Sequence, residues 1–96
     1  PALQRDAGAA GAKLVTVQAA ADTLLSYGRW ADAETFYTKA LALPGANAPL
    51  LLTRLGIAQV EQGKYADAQA TLAKVTGTRQ PIAALWGLYA AQKASG

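Results

Sequence analysis

Gly28-Arg29-Trp30-Ala31-Asp32-Ala33 and Gly63-Lys64-Tyr65-Ala66-Asp67-Ala68 are the two stretches on which the reading of this chain turns. Glycine, a basic residue, an aromatic ring, alanine, aspartate and alanine follow in the same order in both, at a spacing of 63 − 28 = 35 residues. A fixed period in the range of about 20–50 residues is the mark of stacked supersecondary units. In each copy a glycine ends one element, and an acid lies near the start of the next, where a helix N-terminus favours negative charge. The repeating unit is therefore a helical hairpin.

Working back from Gly28, the residues Val17, Ala20, Ala21, Leu24 and Leu25 recur at three- and four-residue steps and predict a helix from Lys13 to Tyr27. Forward of it, a second helix runs from about Trp30 to Leu43 with Ala33, Phe36, Tyr37, Ala40 and Leu41 on its buried stripe, and Pro44 and Gly45 stop it. Asn47 can cap a third helix with Pro49 in its first turn, and this helix carries a wide apolar surface (Leu51, Leu52, Leu55, Ile57, Ala58, Val60) before Gly63. A fourth, from about Tyr65 to Val75, buries Ala68, Leu72 and Val75 before Gly77 breaks it. Thr78 offers a cap for a fifth, with Pro81 in its first turn and Ile82, Leu85, Trp86 and Tyr89 on its apolar side. No stretch carries a strand signal. The predicted fold class is all-α, antiparallel helix-turn-helix hairpins stacked side by side, about five helices in all. The expected organisation is a head segment over residues 1–12, rich in Ala and Gly and read as a frayed lead-in or the remnant of a preceding helix, followed by a helical domain over 13–96. Within it, repeat 1 covers about 14–47, repeat 2 about 48–78 and a terminal helix about 79–94.

Composition narrows the chemistry. Ninety-six residues with 52% hydrophobic content suit one domain with a modest core. The chain holds no histidine, cysteine or methionine, so imidazole acid–base catalysis, thiolate nucleophiles and soft-metal ligation have no residues to work with. Carboxylate pairs are the remaining option, but Asp32 and Glu34 are two apart and point to different helix faces. Ser26 and Ser95 lie at helix ends near glycines, a poor setting for a serine–lysine nucleophile. Gly8-Ala9-Ala10-Gly11-Ala12-Lys13 has the wrong spacing for a phosphate-binding GxxxxGK[ST] loop, and no strand precedes it. No catalytic residue, metal ligand or cofactor site is expected, and the chain is read as no enzyme in its own right.

The net charge of +3 is spread along the chain with acids between the bases, unlike the one-sided clusters of a nucleic-acid binder, so no nucleic acid is expected as partner. No apolar run reaches the roughly 20 residues needed to cross a bilayer, so no membrane insertion is expected either. A soluble protein of the cytoplasm or a bacterial periplasm is the expectation. Beginning at Pro1, it is read as a processed protein or a piece of a longer one.

At the repeated residues the chain resembles the tetratricopeptide repeat family. The first repeat supplies Ala20, Ala21, Leu24, Gly28, Trp30, Ala33, Tyr37 and Ala40 with Pro44 near the closing proline; the second supplies Leu55, Gly56, Gly63, Tyr65, Ala68, Leu72 and Val75. The resemblance covers roughly residues 14–78; Gln59 stands where the family has an aromatic or apolar residue, and Gly77 replaces the closing proline. It implies a short right-handed superhelix in which Trp30 and Tyr65 wedge between neighbouring helices, while Trp86 and Tyr89 seal the end of the core. It also implies a concave face lined by the first helix of each repeat. Carried over, that face consists of Val15, Gln18, Asp22, Leu25 and Ser26 in the first repeat and Leu50, Thr53, Ile57, Val60 and Glu61 in the second. It is mostly apolar with a weakly acidic rim, and Asp22 and Ile57 occupy stations where carboxylate-clamping members carry basic or amide groups. The resemblance implies a protein–protein interaction module, a scaffold or adaptor whose protein partner lays a peptide or amphipathic helix in this groove. Two alternatives stay open: a structural domain that self-associates weakly through the open ends of its stack, and a non-catalytic docking domain of a larger protein.

Overall fold

Each hairpin turn is closed by the same backbone device. In the computed structural model, which describes residues 2–9 and 11–95, helix α2 (Leu14–Ser26) turns through Gly28 into α3 (Trp30–Leu41), and α4 (Ala48–Glu61) turns through Gly63 into α5 (Tyr65–Leu72). Gly28 and Gly63 have φ of 74° and 79°, a left-handed conformation that a Cβ disfavours. They let the amides of Arg29 and Lys64 reach back to the carbonyls of Leu24 and Gln59, at 2.8 and 2.9 Å. The amides of Gly28 and Gly63 meanwhile bond Leu25 and Val60. This pair of bonds satisfies orphan carbonyls at the helix ends and sends the chain back antiparallel.

A short 3₁₀ turn (Gly77–Arg79) leads into the last helix, α6 (Gln80–Ser95), and a short helix, α1 (Ala2–Gly8), precedes the first hairpin. Every helix packs against its neighbour in the chain, and α4 also meets α6, in a body measuring 40 × 26 × 18 Å. Asn47 caps α4 as expected, its Oδ1 accepting from the Leu50 amide at 3.2 Å. Thr78 does not cap α6: it lies inside the 3₁₀ turn, because the chain coils one turn early there.

The described part of the head forms the short helix α1. Ala7 is fully buried against the first hairpin, and Lys39 Nζ donates to the carbonyls of Ala7 and Ala9 at 2.7 and 2.8 Å, closing the end of α1. Among the side chains described for residues 5–9, the buried one is Ala7.

Two clusters make up the core. Val17, Ala20, Ala21 and Leu24 of α2 meet Ala33, Phe36, Tyr37 and Ala40 of α3 and then Leu51, Leu55 and Ala58 of α4; Val60, Ala68, Leu72, Val75, Ala83 and Ala90 form the second cluster. Gly56 marks the tightest crossing, where an added Cβ would sit 2.5 Å from Cγ of Leu72. Small residues at such crossings bring helix axes together and are what the repeat retains.

One polar knot ties three helices. Glu34 of α3 accepts from Gln59 Nε2 (3.1 Å) and Gln62 Nε2 (2.8 Å) on the α4 side and from Lys64 Nζ (2.9 Å) at the start of α5. Burial raises the carboxyl pKa, but the hydrogen bonds from Lys64, Gln62 and Gln59 and the Lys64 charge together outweigh it and hold the group below its ordinary 4.5. A depressed folded-state pKa contributes stability that is present above the unfolded value and is lost as pH falls through the folded one. The stability gap between the native chain and Glu34→Gln is therefore expected to be full at neutral pH and to shrink in acid below 4.5. Urea midpoints of both proteins across that range check this; a gap independent of pH would contradict the assignment.

Candidate functional site

The residues read as a concave face lie on α2 and α4, and their burial is uneven. On α2, Val15 is 73% exposed and shares an open cavity of about 370 Å³ with Leu14, Gln18, Ala19 and Asp22. The Asp22 carboxylate is engaged: Tyr37 donates its hydroxyl proton to Oδ1, and Arg54 Nη1 donates to Oδ2 at 2.8 Å. Burial first, then the hydrogen bond to Asp22 and its negative charge, push the Tyr37 pKa far up, so the phenol stays protonated and keeps donating. Leu25 packs on the first core cluster, and Ser26, though exposed, donates to the Thr23 carbonyl at 2.8 Å.

On α4, Leu50 and Ile57 are half-buried, and Glu61 is exposed. Thr53 and Val60 are covered. The Thr53 hydroxyl turns back to the Pro49 carbonyl at 2.7 Å, and Val60, 3% exposed, belongs to the second core cluster. The expected contact set thus narrows, because α4 lies between two hairpins and buries flanks that an outer helix leaves free.

Beside Glu61 stand residues of α6 expected to seal the end of the core. Ile82, Leu85 and Tyr89 are 52%, 67% and 43% exposed. Leu85, Trp86 and Tyr89 join Glu61 around a cavity of about 290 Å³. Trp86 does pack on the second core cluster, as a seal would, but it meets Tyr89 edge-to-face at 6.0 Å between ring centroids, and Tyr89 stays open. Lys93 Nζ lies 5.6 Å from the centre of the Tyr89 ring. Arg54 was the other residue missed; its partner Asp22 stands 32 positions away, and only the stacking of α2 against α4 brings them together.

Among the described residues no three His, Cys, Asp or Glu side chains gather as a metal site would require. Asp32 pairs with Arg29, Asp22 with Arg54 and Glu34 with Lys64. No described helix is long and apolar enough to cross a membrane.

A profile of the tetratricopeptide repeat matches residues 24–91, from the end of α2 into α6. The chain belongs to the tetratricopeptide repeat family. Domains of this family are generally protein–protein interaction modules and typically not catalytic. The match runs into α6, which packs beside α4. A search of curated proteins and of solved structures found no match. One departure from the repeat has a visible reason: Gln59 is 7% exposed and reaches Glu34, trading an apolar contact for a link between hairpins.

Proposed function

We propose that this tetratricopeptide repeat chain is an interaction module that holds an apolar peptide or amphipathic helix against the face made by α2, α4 and α6. The observation that carries this reading is the run of uncovered apolar side chains on those first helices, Val15 at one end and Ile82, Leu85 and Tyr89 at the other, with Leu50 and Ile57 half-buried between them. Apolar surface of this kind, rimmed by Gln18, Glu61 and Lys93, suits a partner whose affinity comes from buried area and whose orientation comes from a few polar contacts. Arg54 is held by Asp22 and so is not free for a terminal carboxylate.

The test is a titration of the isotopically labelled chain with a 14-residue helical peptide (a length of about four turns) whose leucines lie on one face. Amide shifts are expected along Val15, Gln18, Leu50, Ile57 and Leu85, and Ile57→Asp and Leu85→Asp are expected to keep helical content while weakening binding by about 2 kcal/mol at a central anchor. Shifts confined to the α5–α6 side, or loss of fold together with binding, would reject the assignment.

A second reading rests on α6 itself. This helix carries a single charge, Lys93, in sixteen residues, and its other flank, with Ala84, Gly87 and the 62%-exposed Leu88, borders a cavity of about 500 Å³ against Leu72 and Val75 of the preceding repeat. Solenoid ends normally carry polar caps, so weak self-association through this end is the alternative role. Sedimentation of the native chain and Leu88→Glu separates it from the groove reading: only end-to-end contact is sensitive to position 88.

A further inference from the structure

Among the acids of α2 to α6, Glu61 is the one whose position the fold leaves unexplained. Asp32 and Asp67 lie in first helical turns, where the helix dipole welcomes them, and Asp22 and Glu34 hold cations. Glu61 is the last residue of α4, the end at which the backbone carbonyls already make the potential negative and a carboxylate is disfavoured. Among the described residues it is exposed and makes no ion pair or side-chain hydrogen bond.

Across the cavity from this negative end stand Leu85, Trp86 and Tyr89. An aliphatic wall, two rings with electron-rich faces and an unpaired carboxylate are what a long cationic side chain needs: the stem lies on Leu85, while the charged head meets ring faces and Glu61. Tyr89 already draws the ammonium of Lys93 to within 5.6 Å of its centre, and Lys93 is not among the residues that line the cavity. We infer that this cavity is a subsite for a basic side chain, lysine or arginine, of the segment bound on the first-helix face. The inference rests on the groove reading above and gives it a chemical preference: the partner's apolar stripe is interrupted by one cation that registers at the junction of α4 and α6.

The chain as a whole carries a net charge of +3, so unspecific electrostatics favour an acidic ligand and act against this preference. That opposition makes the test sharp. Three versions of the leucine-faced helical peptide are titrated into the full chain, with lysine, norleucine or glutamate at the centre of the apolar face. The lysine peptide is expected to bind about tenfold more tightly than the glutamate peptide and several-fold more tightly than the norleucine peptide, with the advantage reduced at high salt. In Glu61→Gln, whose helical content is checked by circular dichroism, the gap between lysine and norleucine peptides is expected to close. Equal affinity for those two peptides, or a lysine preference that survives Glu61→Gln, overturns the basic subsite and leaves the groove reading standing. Failure of all three peptides to bind overturns both.

Discussion

Tyr37→Ala is expected to lower the folding stability by about 3–5 kcal/mol, the range for emptying a fully buried aromatic site. Tyr37 is completely buried and ranks with Leu51 and Val17 as the largest side chains that are. Its ring fills the layer between α2 and α4, and its hydroxyl donates to Asp22, which also holds Arg54, so one side chain joins three successive helices. Truncation opens a cavity and strips the Asp22 carboxylate of a partner at once. A domain of this size has about 5–15 kcal/mol in total, so the midpoint of thermal unfolding should drop by about 15 °C or more. Tyr37→Phe separates the two contributions: it keeps the ring and removes one hydrogen bond, with an expected cost of about 0.5–1.5 kcal/mol. If the two variants melt together, the ring is not the keystone described here.

Gly56→Leu is expected to cost about 2–3 kcal/mol, even though leucine is the better helix former by about 0.8 kcal/mol. The reason is space: the first atom of any side chain at this position lands 2.5 Å from both Cγ and Cδ2 of Leu72. Cγ sits near the root of that leucine and cannot swing clear without shifting the α4–α5 crossing. Leu72→Ala alone leaves a void, yet in combination with Gly56→Leu the new side chain occupies it. The double variant should therefore be more stable than the sum of the two single losses by about 1 kcal/mol or more. Strict additivity in denaturant midpoints would show that the crossing is not set by this contact.

The groove was less legible than the hairpins, for reasons that particular residues display. Val15, Gln18 and Asp22 sit on the first helix of a repeat and stand at the open side, where one-dimensional register is enough to place them. Thr53 and Val60 stand 35 residues beyond Gln18 and Leu25 but are covered, because α4 has neighbours on both flanks whereas α2 is flanked on one side only by the short α1. Leu85 and Tyr89 look like core in a linear reading, since an apolar stripe does not say whether anything packs on it.

By itself the sequence determined the repeat, the turns and the two-helix unit, since these depend on short-range chemistry: a glycine able to take positive φ at 28 and 63, an asparagine cap at 47, and apolar residues spaced to the helical turn. It also determined family membership, because the repeated residues are those that pack within one hairpin. Which helix flanks stay uncovered was decided by tertiary structure alone. Burial depends on how many neighbours a helix acquires in the stack, and the pairing of Asp22 with Arg54, of Glu34 with Lys64, and of Glu61 with the aromatic wall of α6 joins residues about 24–32 positions apart that no local pattern of propensity or spacing connects.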